Sequence, residues 1–357
     1  MSEHHEVIVV GAGLSGLYTA WVLHRQGHDV LVLEARERTG GRILSLSPSS
    51  GGAAVDLGPA WVWPEFQPRL RRLLDELDID LFPQYIEGDL LYEQAIGNVH
   101  RHGGPSSHAQ SFRISGGAQA LIHALVQALP EDRISLGTRV HSIAQDGVIQ
   151  AERAGAAFRL NADRIVLALP PRLIGSRIEL IPAPEEALLQ FWRDTPTWMA
   201  GHCKLLFIYE EAFWRRQGVS GEVFSRVGPL TEIYDGSPHD ESFYALTSFV
   251  GLNAAQRAQI SRDQLITACM AQLERLFGME ARDCIQVLVN DWSEESFTAT
   301  DADLLGPAQH PQYPENLPRS LWEGRLMLAG TEVARESGGY LEGALESADE
   351  ICELIGE

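Results

Sequence analysis

Two groups of residues in this chain have types and spacings that could do chemistry. The first is Gly11-Ala12-Gly13-Leu14-Ser15-Gly16, a GxGxxG pattern directly after a β-branched apolar run (6–10) and before a stretch with helical apolar spacing (14–25). Glycines at these places permit a tight turn, close approach of backbone to a pyrophosphate, and close packing of helix on strand. The start of the following helix offers unpaired N–H groups and partial positive charge to the phosphates. Glu34 closes the next apolar run (30–33), 18 residues after Gly16, where a carboxylate can accept hydrogen bonds from a ribose diol. The loop beyond it, Ala35-Arg36-Glu37-Arg38-Thr39-Gly40-Gly41-Arg42, adds three arginines that suit a pyrophosphate. A bound dinucleotide is implied, and the fingerprint alone leaves NAD and FAD open.

The second is a single residue. Lys204 is the only lysine in the chain, beside 27 arginines. Solvated surfaces tolerate either cation, so the one place that keeps an ammonium stands out. It lies in an apolar run, Cys203-Lys204-Leu205-Leu206-Phe207-Ile208, where strand alternation puts Lys204 on the same face as Leu206 and Ile208. A lysine on an apolar face has a lowered pKa and can handle protons, which arginine cannot. A lysine snorkelling from a strand end accounts for the pattern equally well.

Elements must hold these residues in place. The 357 residues are 45% hydrophobic and 22% charged, the mix of a globular protein with a substantial core. The net charge of −21 repels phosphate backbones and anionic headgroups, so nucleic acid and membrane surfaces are not expected partners. The four cysteines form no CxxC pair, which points away from zinc and disulfides and toward a reduced, cytoplasmic setting. The acidic N-terminus lacks the features of a signal peptide, no apolar run is long enough to span a bilayer, and no anchor follows the last helix. A βαβ unit opens the chain over 6–33. Further helices are expected over 70–77, 117–129, 262–277 and 343–355, and strands over 134–136, 140–143, 148–151, 157–160, 164–169, 202–209 and 325–329. Residues 88–111 read as a loop without period, and His100, His102 and His108 within it as solvated, not as a metal set.

At this point the chain resembles the flavin-containing amine oxidases, the family of monoamine and polyamine oxidase. The resemblance runs from Gly11 to Arg42 and through later blocks in the same order. These are Asp56-Leu57-Gly58-Pro59-Ala60-Trp61-Val62, Ser115-Gly116-Gly117-Ala118-Gln119-Ala120-Leu121, Leu167-Ala168-Leu169-Pro170-Pro171 and His202-Cys203-Lys204 through Phe213-Trp214-Arg215. The last is Ala329-Gly330-Thr331-Glu332 to Ser337-Gly338-Gly339-Tyr340-Leu341-Glu342-Gly343-Ala344.

The resemblance implies an α/β fold: a Rossmann-like FAD domain of the GR2 type (1–82, 112–176 and 298–357) carrying an inserted α+β substrate domain (83–111 and 177–297), like p-hydroxybenzoate hydroxylase and monoamine oxidase. It implies FAD, not NAD. Gly11, Gly13, Leu14, Ser15, Gly16, Glu34, Ala35, Arg36, Gly41 and Arg42 would hold its adenosine and pyrophosphate, and Val140 would meet the adenine through its backbone. Gly58, Pro59, Ala60, Trp61, Pro170, Gly330, Glu332, Gly339, Tyr340 and Leu341 would surround the rest. Lys204 matches the lysine that holds a water against flavin N5, Tyr340 the aromatic wall beside the flavin, and Trp292 the tryptophan before the flavin-attachment region. The implied reaction is oxidation of an amine with O2 as acceptor. A flavin dehydrogenase or desaturase on a non-amine substrate, and a non-catalytic flavin binder, stay open as alternatives.

The chain departs from the family in three places. Asp301 and Ala302 fall where mitochondrial monoamine oxidases have the flavin-bearing cysteine and a second aromatic wall, so FAD is expected to be non-covalent and the cage incomplete. The segment 88–111 is far shorter than the helical insertion that roofs the family's substrate cavity, which leaves the site open or roofed by a partner subunit in a homo-oligomer. Pro59 replaces a glycine near the flavin. The Met-Arg pair of related amino-acid oxidases is absent at Pro59-Ala60-Trp61, which favours a simple amine.

Overall fold

The computed structural model describes residues 3–104, 106–304, 310–313 and 318–356. Its first sheet grows from the strand Glu3–Val10, whose residues Val7 to Val10 are all buried. This strand lies between Val30–Leu33 and Ala156–Leu167, parallel to both. Ile134–Ser135 joins beyond Val30–Leu33, and Leu326–Leu328 beyond Ala156–Leu167, again parallel. Strands covered on both faces are apolar throughout, which is why the run 30–33 shows no alternation. One face is covered by the helices Leu14–Arg25, Pro68–Glu76, Gln119–Gln127 and Leu341–Gly356, through residues such as Leu17, Leu70, Leu121 and Leu345. The other face packs on Ile143, Ile149, Ile174 and Trp192.

The register of this sheet places the candidate site. Val10 stands level with Leu33 and Leu167, and Leu167 with Leu328. The residues that follow, Gly11, Glu34, Ala168 and Ala329, therefore leave the sheet together at its carboxyl edge, where ligands of open parallel sheets bind.

The second sheet has seven strands in the order Gln286–Asp291, Cys203–Tyr209, Tyr244–Val250, Leu230–Asp235, Val219–Ser225, Asp89–Ala95 and Asn98–His102. Cys203, Leu205, Phe207 and Tyr209 face the helix Arg262–Phe277, which starts at a Ser261–Gln264 capping box. Leu206 and Ile208 point the other way, onto Val55 and Leu57. The expected alternation is therefore present, with Lys204 on the inner face.

Two expectations are corrected. The segment 88–111 is not a structureless loop: Asp89–Ala95 and Asn98–His102 form a hairpin that extends the second sheet. Its period is masked because one inward position holds a carboxylate. Glu93 is fully buried and takes hydrogen bonds from Arg275 Nε (2.5 Å), Ser225 Oγ (2.7 Å) and Gln272 Nε2 (3.3 Å). Burial opposes ionisation there, yet the bonds from Arg275 and Ser225 hold its carboxyl below the usual range. The strands expected over 157–160 and 164–169 are one strand, Ala156–Leu167. It pairs antiparallel with Val148–Arg153 along its first half and parallel with Leu326–Leu328 along its second, while Glu3–Val10 flanks most of it. The polar residues at its middle mark this change of partner.

Candidate active site

The carboxyl edge of the first sheet and the inner face of the second enclose a cavity of about 780 Å³. All the candidate residues named above line it except Gly16 and Glu332, which stand behind its wall. At one end the groups are mostly backbone. The helix Leu14–Arg25 begins at Gly13 with no side-chain cap and no acidic residue in its first turn, so its N–H groups remain open to an anion. Glu34 sits beside it, its Oε2 accepting from Ala12 N (2.8 Å) and its Oε1 from Arg36 N (2.9 Å).

The three glycines differ in what demands them. A methyl on Gly11 would meet Ala168 O at 2.7 Å, and one on Gly16 would meet Gly11 O at 1.9 Å. Both are fixed by the protein's own packing. Gly13 has an ordinary extended backbone (φ −76°), and a methyl there would find nothing closer than Gly41 Cα at 3.9 Å. The fold alone leaves room for a side chain at Gly13; a ligand lying against the backbone does not. Glu332 makes the same point. It is fully buried and ion-paired to Arg42, whose Nη1 stands 2.7 Å from its Oε1, which leaves its Oε2 without a donor among the described residues. A hydroxyl-bearing ligand would supply one. These residues fit a dinucleotide such as FAD.

Arg36 is committed elsewhere. Its Nε donates to Glu295 Oε2 (3.2 Å) and its Nη2 to Thr298 Oγ1 (2.7 Å), so its side chain ties the loop after Glu34 to residues 295–298.

The far end of the cavity is built from side chains. Lys204 is 2% exposed, donates to Gly58 O (2.9 Å), and lies 5.4 Å from the ring centre of Trp61 and 5.6 Å from that of Phe249. Burial draws its pKa down to about 7; Asp56 opposes the shift and Arg113 adds to it. Asp56 accepts from Ser45 Oγ (2.5 Å) and Ala118 N (2.8 Å), while burial pushes its own pKa up. Arg113 is buried and donates to Ser237 O (2.7 Å). Arg113 and Asp56 balance each other in charge, so a proton on Lys204 would leave an uncompensated buried cation.

Trp292 is buried and donates to Leu57 O (3.1 Å), which steadies the segment leading to Gly58. Tyr340 is 46% exposed and stacks on His310 at 4.7 Å, with an 11° angle between rings. Trp61 Nε1 donates to Gln84 Oε1 (2.8 Å).

His108 corrects the sequence reading. His100 and His102 are exposed, but the His108 ring packs on Trp61 at 4.5 Å and Tyr234 at 4.7 Å and lines the cavity. Tyr234 and Phe249 escape sequence reasoning with it, since each is one apolar residue in an apolar strand. Among the described residues no group of three or more His, Cys, Asp or Glu could hold a metal.

With this geometry in place, known proteins can be compared. The family model for flavin containing amine oxidoreductases matches residues 98–355, and a model for NAD(P)-binding Rossmann-like domains matches residues 9–77. The chain belongs to the flavin-containing amine oxidoreductase family. Its relatives include the probable flavin-containing monoamine oxidase A of Dictyostelium discoideum, 26% identical over 99% of this chain and 98% of that one. Putrescine oxidase of Kocuria rosea is 25% identical over 95% of this chain and 92% of the relative. Among solved structures, wild-type putrescine oxidase bound to putrescine superposes with a TM-score of 0.82 at 22% identity, over the full length of both chains. The protein is thus an FAD-dependent oxidoreductase of the amine class, with the FAD-binding fold the sequence implied. The first of these alignments is 465 residues long against a chain of 357, so more than a hundred positions have no counterpart here. The hairpin 89–102 occupies the segment that the sequence reading compared with the family's roofing insertion.

Proposed function

We propose that this family member oxidises a primary or secondary amine at its α-carbon, with O2 as the final acceptor and H2O2 as product. In balance, the amine loses two electrons and two protons to become an imine, water converts the imine to a carbonyl compound and ammonia or a smaller amine, and O2 takes up the electrons and protons. FAD, when bound, would supply the two-electron acceptor for this oxidation. The remaining work belongs to this chain. The open N-terminus of the helix Leu14–Arg25 and Glu34 would bind the dinucleotide. Lys204, neutral above about pH 7, would carry protons at Nζ beside Gly58. Tyr340 and Trp61 would orient the amine beside apolar walls.

None of the four cysteines lines the cavity, and burial raises the pKa of each to about 11 or 12. This supports a non-covalent cofactor. Among the described residues no helix is long and apolar enough to cross a membrane.

The observation that carries the reading is the buried lysine, its pKa drawn down to about 7 by burial, at the far end of a cavity whose near end is an open helix N-terminus. The test is to purify the protein, confirm the flavin spectrum, and record anaerobic bleaching against mono-, di- and aromatic amines. Bleaching by one class, with H2O2 on readmission of air, is the expected result. A flavin that dithionite reduces and no amine does would refute it.

A further inference from the structure

The proposed reaction needs a neutral amine, whereas simple amines reach the enzyme as ammonium ions. Some group in the cavity must take that proton. Lys204 is poorly placed to receive it, because Nζ donates to Gly58 O and Arg113 already offsets Asp56. Three histidines stand at the aromatic walls: His310 is stacked on Tyr340 with Nε2 on Gly338 O (3.0 Å), His202 packs on Trp198, and His108 packs on Trp61 and Tyr234. The Nδ1 of His108 lies 3.1 Å from Ser111 Oγ, and that hydroxyl donates its one proton to His108 O at 3.0 Å. With that hydroxyl turned to His108 O, its oxygen accepts from Nδ1–H, which puts the proton of the neutral ring on Nδ1 and the lone pair on Nε2. Nε2 has no protein partner among the described residues, and the ring stands against Trp61 and Tyr234 in the cavity wall.

We propose that His108 Nε2 is the base that takes the proton from the substrate ammonium as it enters, leaving the neutral amine for oxidation. This rests on the amine reading above. The step is balanced: an N–H bond of the ammonium breaks, a proton joins Nε2, and the imidazolium returns it to solvent. Burial lowers the pKa of His108, which leaves the ring neutral to receive a proton and makes the imidazolium a transient that gives it up readily, while the charge of Glu222 acts in the opposite direction and favours the imidazolium. Glu222 is engaged by Ser107 Oγ (2.5 Å), Glu232 accepts from Tyr234 OH (2.8 Å), the Tyr234 phenol is kept protonated by burial, and Lys204 lies across Trp61.

The test compares wild type, His108→Gln and Ser111→Ala by the rate of anaerobic flavin bleaching with a reactive amine between pH 6 and 9. His108→Gln is expected to keep its flavin spectrum, to slow about 100-fold at pH 7, and to recover about tenfold per pH unit as the amine in solution deprotonates. Ser111→Ala, which keeps the ring and removes only its anchor, is expected to slow about tenfold. It also serves if the glutamine variant fails to fold. Nitrogen-15 NMR of the wild-type holoenzyme, with the His108 resonances identified from either variant, is expected to show the Nδ1–H tautomer. Wild-type rates and pH profile in both variants, or an Nε2–H tautomer, would overturn the proposal. Absence of bleaching by any amine in wild type would instead overturn the amine reading.

Discussion

The two ends of the cavity are built on opposite plans. The end proposed to hold the cofactor is backbone: an uncapped helix start, a bare Gly13 and strand ends brought level by a parallel register. The substrate end is side chain: Lys204, Trp61, His108, Tyr234 and Phe249, delivered by segments far apart in sequence. A site made of backbone conformation is written where that backbone is, in a few adjacent residues. A site made of side chains is written wherever the topology happens to bring them.

If that contrast is right, damage at one end should spare the other. Among changes that leave the fold intact, Gly13→Val should be the most severe, with FAD retention lost altogether while circular dichroism is unchanged, since only a ligand competes for that space. Gly16→Val should lose both, because the methyl has no room in the fold itself. Flavin bound by purified Gly13→Val would disprove the cofactor-end assignment. Lys204→Met should keep its flavin and slow flavin reduction or reoxidation about 100-fold in stopped flow. Unchanged kinetics would remove Lys204 from the mechanism.

A finer comparison uses pH. Lys204 must be neutral to act, so activity should fall as pH drops through about 7. Arg113 disfavours the ammonium, so Arg113→Gln should raise the lysine pKa and move that acid limb upward by about one pH unit. A limb that stays put would mean Arg113 has no hold on Lys204. The smallest effect is expected for Trp61→Phe, which loses the bond to Gln84 Oε1 and so about 1 kcal/mol of stability. Thermal melting should register it as a small drop with flavin content unchanged.

Much of this fold is legible in the amino-acid sequence alone. The strand–turn–helix at the N-terminus, the strand around Lys204 and the helix Arg262–Phe277 follow from local periodicity and caps. The hairpin 89–102 does not, because the buried Glu93 depends for its place on Arg275, which lies 182 residues away. His108 does not either: its neighbours in sequence are polar or small, and only the pairing of Val62 with Phe112 brings its segment over Trp61 and Trp63.

The sequence by itself determined that a glycine turn joins the first strand to an uncapped helix start, that Glu34 follows the neighbouring strand, and that one lysine lies on an apolar strand face, because each is a short-range property of backbone or alternation. Only the tertiary structure decided that burial draws this lysine's pKa down to about 7, that Arg36 ties residues 295–298 instead of standing free, and that His108 joins the cavity wall. Burial and charge balance are sums over neighbours from the whole chain, and no local stretch of residues contains them.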